Sequence, residues 1–496
     1  MTLPREASPH GLVERTPVRL RPDPSRIVSQ LFVAGEEIIT GASRASTVVR
    51  RVLNLSEAEV DVELARVLRN FHDRHEDLAA ELVVHFNQIS EHARGAQGLS
   101  VARQMLLGAY ATSEYAVESV SLCNPSIVAH PDQAGVAAGH LRFVLSLRAI
   151  GEGHISSIEF RTGTLDADAG VHVDEPGRFT VAGRVTPGPY ERDAFTALLD
   201  GPGSDLEVAA VVLGRLPPTF TRSALDASIA GVRPRTLARS SAREMIERIH
   251  TAADCNYTVG FPEGSGLAQR VLRPGGPSES RGMEDARFVR FVDHDASVTY
   301  FGTYTAFDGT GVRPQLLATE DFRSFTVSQL TGRAATNKGM AIFPRRINGR
   351  YVALSRWDRE NSAITTSADA RAWDEGSEVH HPARPWELVQ VGNCGSPMET
   401  PEGWLVITHG VGPMRTYCLG AMLLDLDDPR LVRGQLAVPL LAPVGNERDG
   451  YVPNVVYSCG SIVHGDWVVL PYAYGDRETT FARVSTSRLL ASVLST

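Results

Sequence analysis

Long apolar runs and paired cysteines are both missing from this chain of 496 residues. Because no uninterrupted apolar stretch of about 18 residues occurs, we predict no transmembrane helix. Residues 1–24 are rich in arginine and proline but lack an apolar stretch, which is not the pattern of a signal peptide. The cysteines are few, odd in number and far apart, which argues against a zinc site or a disulfide framework and predicts a reduced, cytoplasmic protein. They are Cys123, Cys255, Cys394, Cys418 and Cys459.

An excess of positive charge and several well-known catalytic motifs are also missing. The net charge is −9 and the pI is near 5.9, whereas a protein that binds nucleic acid over a broad face needs a basic surface. The sequence contains no Gly-x-x-x-x-Gly-Lys-Ser/Thr loop, no strand-linked Gly-x-Gly-x-x-Gly, no His-Glu-x-x-His and no Gly-x-Ser-x-Gly. Nucleotide-binding, zinc-protease and α/β-hydrolase functions are therefore disfavoured. We predict no cofactor, no metal, and no nucleic-acid or membrane partner.

The N-terminal region has a helical pattern. A chain of this length predicts two or more domains, or one large domain built from repeats. We expect residues 1–25 to form an irregular arm, after which Ser56-Glu57-Ala58-Glu59 matches a helix capping box. Apolar residues at helical spacing follow, so we predict one or two long helices between about 56 and 115, in a region that ends at 117. Three histidines on this stretch are interpreted as packed or solvated side chains rather than metal ligands: His72, His75 and His85.

From residue 118 the pattern is that of short β-strands bounded by Gly, Asp, Asn and Pro. We predict a mainly β domain over 118–490, interrupted at about 190–255 by a helical insertion in which Ser241–Glu244 resembles a second capping box. A seven-residue repeat indicates the architecture, because Thr319–Phe325 resembles Ser367–Trp373, 48 residues further along. A period of about 40–50 residues with several short strands favours a β-propeller, in which every blade contributes to a central funnel.

Polar clusters scattered along this β-rich region fit such a funnel. Each cluster alone has an ordinary structural explanation, such as a turn residue or a solvated charge. Together they indicate a site for a polyhydroxylated ligand and an anion, because sugar hydroxyls bind carboxylates and amides while phosphate requires Arg, Lys or His donors. The clusters are Arg148 with Gly151–His154, Glu284-Asp285 with Arg287, Asn337-Lys338, Arg356 with Asp358, His409-Gly410, Tyr417, Glu447 with Asp449, and Gly475-Asp476.

In their order along the chain these clusters resemble the motifs of glycoside hydrolase family 130, the β-mannoside phosphorylases and related mannosidases, over about residues 118–490. Gly282-Met-Glu-Asp-Ala-Arg287 is similar to the family's Gly-x-Glu-Asp-Pro-Arg, with Ala286 in place of proline. The resemblance implies a five-bladed β-propeller, which agrees with the repeat. The other similar segments are Lys338–Pro344, Gly349–Tyr351 with Ser355-Arg356, Ser396–Leu405 running into His409, Gly450–Val456, and Tyr472–Asp476.

The resemblance implies an inverting phosphorylase, which cleaves a β-mannoside with inorganic phosphate as co-substrate and releases α-mannose 1-phosphate. Asp285 would be the general acid, with its proton passing to the glycosidic oxygen through a sugar hydroxyl. An inverting hydrolase needs a second carboxylate to activate water, whereas phosphate is already an anionic nucleophile. The remaining implied roles are substrate binding by Asn124, Arg148, Glu284, Arg287, Asp449 and Asp476, and phosphate binding by Lys338, Arg356, His409 and Tyr417.

Several alternatives remain open from the sequence. Trp386 is followed by Glu387 and Gln390 where many phosphorylases of the family carry a lysine, so Glu387 is a candidate base for an inverting β-mannosidase. A mannosyl transferase and a mannoside-binding propeller without catalysis are further candidates, although binding alone does not require the Glu284-Asp285 pair. The turn Gly151–His154 is either a substrate loop or a tight structural turn. The linkage, the acceptor sugar and the oligomeric state are not defined, although members of the family often associate.

Overall fold

The computed structural model describes residues 11–33, 44–89, 98–200, 205–232 and 239–495 of the chain. Within these ranges the residues divide into two compact units. The smaller unit contains residues 23–119 and 177–181, and the larger unit contains 120–176, 182–495 and the residues before 23. The larger unit therefore carries every residue to which the sequence assigns a role in the site.

The helices of the described residues lie in three groups along the chain. None of them combines the length and the apolarity that a membrane span requires. They are α1 (Arg44–Leu53), α2 (Glu57–Phe71), α3 (Leu78–Ile89), α4 (Val101–Tyr110), α5 (Arg192–Leu199), α6 (Leu206–Leu213), α7 (Arg222–Ala230), α8 (Ser240–Asp254) and α9 (Thr486–Leu494).

The strands are short and extend over most of the remaining chain. They are β1 (Val13–Leu20), β2 (Ile27–Leu31), β3 (Thr112–Ala116), β4 (Ser121–Ala129), β5 (Leu141–Ile150), β6 (Ser156–Leu165), β7 (Val171–Val173), β8 (Val181–Ala182), β9 (Arg184–Pro187), β10 (Tyr190–Glu191), β11 (Thr219–Phe220), β12 (Tyr257–Gly260), β13 (Arg270–Leu272), β14 (Gly282–Val292) and β15 (Val298–Phe307). They continue with β16 (Val312–Thr319), β17 (Ser324–Gln329), β18 (Ala341–Ile342), β19 (Tyr351–Ser355), β20 (Ser362–Ser367), β21 (Gly376–His380), β22 (Gln390–Asn393), β23 (Met398–Thr400), β24 (Gly403–Val411), β25 (Tyr417–Leu424), β26 (Val432–Gln435), β27 (Val456–Tyr457), β28 (Ile462–His464), β29 (Trp467–Tyr474) and β30 (Glu478–Ser485).

The smaller unit consists of α1–α4 and the antiparallel pair β2–β3. The capping box is confirmed, since the Glu59 amide donates to the Ser56 hydroxyl while the Glu59 carboxylate accepts from the Ser56 amide. The prediction of one or two long helices is wrong, because the pattern is divided into α2, α3 and α4. The polar run at 72–77 separates α2 from α3, and Asp77 accepts a hydrogen bond from the Ala80 amide at the start of α3.

Two of the three histidines of this unit are buried and hydrogen-bonded. His75 lies between two carboxylates, with Nε2 at 3.0 Å from Glu114 and Nδ1 at 3.3 Å from Glu81. His85 Nδ1 contacts the Thr112 hydroxyl at 2.7 Å. These contacts are those of packed side chains, as the sequence predicted.

The larger unit is mainly β: apart from the pair β10–β11, its strands form one 12-stranded, one four-stranded and two five-stranded sheets. The 12-stranded sheet consists of two antiparallel arrays, so that there are five arrays in all. The first array is β4–β5–β6 with β7 and β13 on β6, and the second is β14–β15–β16–β17–β12–β9. A parallel pair, Ser156 with Gly282, joins these two arrays. The third is β18–β19–β20–β21, the fourth β22–β24–β25–β26 with β23 on β24, and the fifth β27–β29–β30–β1 with β28 on β29. In the described residues no sheet closes on itself.

Each array packs against the next through apolar side chains, and the fifth packs against the first. Burial of these side chains from water is the main stabilising contribution to such a core. Ring contacts of this kind join Phe160 with Phe288 and Phe325, Phe343 with Trp404, and Phe143 with Phe481. Phe291 and Trp373 share one apolar cluster, and Leu405 and Val468 share another.

The seven-residue repeat marks an equivalent turn in the second and third arrays. Thr319 ends β16 and Ser367 ends β20, and each of these is the third strand of its array. In each turn an aspartate, Asp321 or Asp369, accepts hydrogen bonds from backbone amides two and three residues further on. The aromatic residue that ends each copy, Phe325 or Trp373, is fully buried. The sequence repeat therefore corresponds to a structural repeat.

Two local predictions are wrong. Val13–Leu20, expected in an irregular arm, forms β1 and pairs antiparallel with β30, because its alternating side chains suit a half-exposed strand. Ser241 does not cap the last helix of the insertion, because α8 begins at Ser240 and the Ser241 hydroxyl donates to Asp205. Helices α5–α8 share an apolar cluster of their own.

Candidate active site

Two β-bulges bring an amide and a carboxylate together. Strands β4 and β14 are the first strands of the first two arrays, and each contains a shift in its pairing register. Inside these bulges Asn124 (φ 49°) and Asp285 (φ 56°) adopt the left-handed backbone conformation, which Asn and Asp tolerate better than most residues. A bulge redirects the side chain of its strand. The Asn124 side-chain amide donates to Asp285 Oδ1 at 2.8 Å.

The adjacent carboxylates Glu284 and Asp285 contact two cations. Arg148 donates from Nη2 to Glu284 Oε1 at 2.6 Å and from Nη1 to Asp285 Oδ1 at 3.4 Å. Lys338 Nζ donates to Glu284 Oε2 at 2.7 Å. The Ser156 hydroxyl, which accepts from Arg148 Nε at 2.9 Å, holds the guanidinium in place. Both oxygens of Glu284 are thus paired with cations, whereas Oδ2 of Asp285 accepts no hydrogen bond from the described residues.

The charges around Asp285 determine its protonation. Burial acts to raise the pKa of this carboxyl, but the nearby positive charges outweigh burial and lower its pKa below the usual value. The contributing cations are Lys338, Arg148, Arg287 and Arg356, in that order. In this arrangement Asp285 is therefore ionised at neutral pH.

A second polar group is formed by Arg356 and His409. Arg356 Nη1 lies 3.0 Å from His409 Nε2, and because a guanidinium can only donate, Nε2 is the acceptor and the imidazole proton lies on Nδ1. Burial, followed by the charges of Arg356 and Arg287, lowers the pKa of His409 well below its usual value. The imidazole is therefore neutral, and it fixes the orientation of the Arg356 guanidinium.

Tyr457 connects the two groups and was missed by the sequence reasoning. Arg287 donates from Nη1 to the carbonyl oxygen of Asp285 at 2.8 Å and from Nη2 to the Tyr457 hydroxyl at 2.9 Å. The rings of His409 and Tyr457 meet edge to face with centroids 5.0 Å apart. Tyr457 directly follows the segment Gly450–Val456, but one aromatic residue in a buried strand carries no functional signal by itself.

Tyr417 lies at the edge of this group. Its ring is nearly parallel to that of His409, with centroids 6.3 Å apart, and its hydroxyl is 3.5 Å from Gln390 Nε2. The guanidinium of Arg415, which the sequence analysis did not select, lies 5.8 Å from the centre of the Tyr417 ring. Gln390, one of the two positions at which the sequence suggested a replaced lysine, therefore lies next to the Tyr417 hydroxyl.

Four buried polar atoms in the cluster have no hydrogen-bond partner among the described residues. They belong to side chains that are at most 9% exposed, and a buried polar atom without a partner is costly. Such atoms on neighbouring strands are expected where a polar ligand supplies the missing bonds. They are Asn124 Oδ1, Arg287 Nε, Arg356 Nε and His409 Nδ1.

Asp476 and Asp449 differ in their relation to this cluster. Asp476 is left-handed (φ 47°), and burial raises its pKa to about 6, opposed by Arg148 and reinforced by Asp285. Asp449 is exposed, and its side chain makes no contact with the cluster in the described residues. Only its backbone is close, because its carbonyl oxygen lies against Gly475, the neighbour of Asp476.

Glu387, the candidate base of a hydrolase, is held by other groups. Its Oε1 pairs with Arg384 at 3.2 Å and with His380 at 3.5 Å. Burial acts to raise its pKa, but His380 and Arg384 lower it below the usual value. Its Oε2 is sealed from solvent. Among the described residues no group of three or more His, Cys, Asp or Glu side chains is placed to hold a metal ion.

Comparison with known proteins finds similarity over the second half of the chain. Residues 263–494 match the model of glycoside hydrolase family 130, described as beta-1,4-mannooligosaccharide phosphorylase. The chain is 33% identical over 227 residues to the beta-1,2-mannobiose phosphorylase of Listeria innocua serovar 6a, covering 44% of this chain and 62% of the relative. It is 34% identical over 202 residues to the 1,2-beta-oligomannan phosphorylase of Thermoanaerobacter sp., covering 40% and 66%.

The matched part spans a little less than two thirds of the length of these curated relatives. Among solved structures, the chain is similar to the beta-1,2-mannobiose phosphorylase from Listeria innocua in complex with beta-1,2-mannobiose, at 21% identity. That likeness covers 77% of this chain and 94% of the other, with a TM-score of 0.45.

Proposed function

We propose that the chain is an inverting β-mannoside phosphorylase with Asp285 as its general acid, on the premise that the match of residues 263–494 to the model of glycoside hydrolase family 130 reflects membership of that family. The observation that carries the proposal is the charge arrangement of the site. One carboxylate with a free oxygen, Asp285, faces several cations, while its neighbour Glu284 is paired on both oxygens by Arg148 and Lys338. This is the arrangement that a reaction with an anionic nucleophile requires.

The same arrangement disfavours hydrolysis. An inverting hydrolase needs a carboxylate that accepts a proton from water on the face opposite the acid, with the two carboxyl groups about 6.5–9.5 Å apart. Glu284 is adjacent to Asp285 in sequence and is paired with two cations, and Glu387 is buried against Arg384 and His380. Neither carboxylate is available as that base.

In the proposed reaction a phosphate oxygen attacks the anomeric carbon of the mannosyl group from the face opposite the leaving group. The bond between that carbon and the glycosidic oxygen breaks, and the electron pair remains on the oxygen. The proton of Asp285 reaches this oxygen directly or through a sugar hydroxyl. The products are α-mannose 1-phosphate and the shortened sugar.

The low pKa of Asp285 gives phosphate a second role. An acid must be protonated before it can act, yet the cations keep Asp285 ionised in this arrangement. Bound phosphate would neutralise part of the potential from Lys338 and Arg356, and would thereby raise the pKa of Asp285. Phosphate binding therefore prepares the acid as well as supplying the nucleophile.

The individual roles follow from these contacts. Lys338 and Arg356 bind phosphate, Tyr417 lines the same side, and His409 acts by holding Arg356. Arg287 is hydrogen-bonded to the Asp285 carbonyl and to Tyr457, and it thereby holds the segment of β14 that carries Asp285 in place. The mannosyl group is bound by Asn124, Arg148, Glu284 and Asp476, and Asp449 belongs to the outer edge of the sugar site.

We also propose that the five arrays are the blades of a β-propeller around this site. The packing of each array on the next, the contact of the fifth with the first, and the pairing of N-terminal β1 with C-terminal β30 support a ring. The bulged first strands then lie on the inside, which is where a propeller binds its ligand. A cytoplasmic location remains our prediction from the odd number and wide spacing of the five cysteines.

The test is to incubate the purified chain with β-1,2- and β-1,4-mannobiose, with and without inorganic phosphate, and to follow the products by phosphorus and proton NMR. We expect α-mannose 1-phosphate only when phosphate is present. Release of free mannose at the same rate without phosphate would identify a hydrolase. Binding of the sugars without any product would identify a lectin.

A further inference from the structure

An exposed pair of rings is formed by two loops, one that follows the strand of Arg148 and one that is hydrogen-bonded to Gly475. His154 and Tyr451 are nearly parallel, with ring centroids 5.9 Å apart and an interplanar angle of 21°. The Tyr451 hydroxyl is 3.4 Å from His154 Nδ1. Tyr451 is 52% exposed, although large aromatic side chains usually bury most of their surface. The two residues are 297 positions apart in sequence, so the fold brings the rings together.

The His154 loop is anchored to the site. It is the turn between β5, which carries Arg148, and β6, which starts at Ser156, and these two side chains are hydrogen-bonded to each other. The Gly151 amide donates to the carbonyl of Ile155 and closes the turn. Gly153 (φ 65°) and His154 (φ 59°) are both left-handed. For His154 this conformation is unusual, and such residues are common at functional sites.

The Tyr451 loop is anchored on the other side of the same cluster. The Val452 amide donates to the carbonyl of Gly475 at 2.8 Å, and Gly475 precedes Asp476. Gly450 has φ 155°, and a Cβ at this position would lie 2.5 Å from the Gly475 carbonyl oxygen, so only glycine permits this close approach. One ring is thus tied to Arg148 and the other to Asp476, both of which lie beside Asp285.

We infer that His154 and Tyr451 form a platform that binds the sugar ring on the leaving-group side of the scissile bond. This inference rests on the proposed function. An exposed ring offers an apolar face to the C–H groups of a pyranose, and the phenol and imidazole edges offer hydrogen bonds to its hydroxyls. The mannosyl group and phosphate bind to charged residues deeper in the cluster, so the platform at the exposed edge is left for the second sugar. The turn Gly151–His154 is then a substrate loop.

The test separates the two sugar positions by running the reaction in the synthetic direction. Wild type, Tyr451→Ala, Tyr451→Phe and His154→Ala are compared with mannose 1-phosphate as donor and mannose or mannobiose as acceptor. For Tyr451→Ala we expect the acceptor KM to rise about tenfold, the size expected for a lost stacking contact, with the donor KM changing less than twofold. His154→Ala should have a smaller effect in the same direction, and Tyr451→Phe should retain most of the affinity.

A matched control is Tyr110→Ala, because Tyr110 is similarly exposed, at 48%, and belongs to the smaller unit. Its KM values should equal those of wild type. The inference fails if Tyr451→Ala leaves the acceptor KM unchanged, or raises donor and acceptor KM equally. Melting temperatures of all variants identify a folding defect, in which case Tyr451→Phe and His154→Ala decide.

If the wild-type chain shows no turnover, the proposed function fails but the platform is still testable. Isothermal titration with β-mannobiose and with methyl β-mannoside then gives the contribution of the second ring to binding. A platform predicts that wild type prefers the disaccharide and that Tyr451→Ala loses this preference. Equal affinities of wild type for both sugars would overturn it.

Discussion

Two buried carboxylates have opposite surroundings: Glu279 in the turn before β14, and Asp285 within β14. Glu279, fully buried, accepts hydrogen bonds from the hydroxyls of Tyr257 and Tyr304 and from the amides of Gly275 and Gly276. Six residues later Asp285 lies in a strained bulge among cations, close to polar atoms without partners. Burial is similar at both positions, but only one site has bonds left to make.

The difference shows what a buried charge can do in each place. At Glu279 the donors are neutral and complete, and burial together with the negative charge of Glu279 raises the pKa values of both tyrosines well above normal. The phenols therefore stay protonated and donate to the carboxylate, which is a structural arrangement. At Asp285 the cations are in excess of the local carboxylates, so the site favours a further anion.

The largest expected effect is that of Asp285→Asn on turnover. Loss of a general acid typically costs about 10²–10⁴ in rate, so we expect kcat for phosphorolysis to fall by about 10³. Because asparagine has the same shape, circular dichroism should be unchanged. The matched control is Asp61→Asn on the exposed face of α2, which should retain full activity. Near-normal turnover by Asp285→Asn would show that the acid is misassigned.

The next effect is the loss of stability in Glu279→Gln, which tests the other side of the comparison. Glutamine can keep its oxygen towards the Gly275 and Gly276 amides and turn its NH₂ group towards the Tyr304 hydroxyl, but the buried hydrogen bonds are then no longer made to a charged acceptor. We expect the free energy of unfolding to decrease by about 2–3 kcal/mol, with kcat and KM unchanged. Urea denaturation followed by fluorescence measures this, with exposed Glu320→Gln as the control. A loss of activity without a loss of stability would place Glu279 in the functional group.

The third expected effect is an increase in stability, in Asp476→Asn. The pKa of Asp476 is raised to about 6, so the folded state favours its protonated form, and its contribution to stability is greatest below pH 4 and declines as the pH rises through 6. Asp476→Asn removes this cost, and we expect it to stabilise the protein by about 2 kcal/mol at pH 7 while it lowers activity. The gain should vanish near pH 3.5.

Melting temperatures of wild type and Asp476→Asn between pH 3.5 and 8 check this prediction. If the variant is less stable than wild type at pH 7, then Arg148 and its neighbours stabilise the ionised form more than burial opposes it. Asp476 would then resemble Glu279 in being stabilised by its neighbours. It would no longer belong with Asp285 on the unsatisfied side of the comparison.

Local chemistry was predictable where a few adjacent residues determine it. The Ser56–Glu59 cap and the aspartate turns at Asp321 and Asp369 are of this kind, since their donors and acceptors lie within three residues. The motif Gly282–Arg287 in β14 was also recognisable from its adjacent residues. What depends on distant partners was missed: β1 needs β30 to be recognised as a strand, and Tyr457 gains its role only from Arg287.

The structural role of Glu279 was also not predictable from adjacent residues. A Glu six residues before Asp285 has no sequence feature that separates it from Glu284, and only the tyrosines of distant strands reveal that it is satisfied. The left-handed conformations of Asn124 and Asp285 were equally inaccessible, because the bulges depend on pairing with β5 and β15.

The smallest expected effect concerns His409, which is proposed to act on the phosphate site by holding Arg356. Since its Nε2 accepts from Arg356, removal of the ring in His409→Ala frees the guanidinium and leaves it without this partner. We expect the phosphate KM to rise about tenfold, with the KM for the mannoside changed less than twofold, because only the orientation of one cation is lost. His409→Gln, whose side-chain oxygen can accept the same bond, should restore part of the phosphate affinity. Initial rates over a matrix of phosphate and mannobiose concentrations distinguish the two constants. A ring that bonds phosphate directly would instead show no rescue by glutamine, and an equal rise in both KM values would place His409 outside the phosphate site, as a core residue in the manner of Glu279.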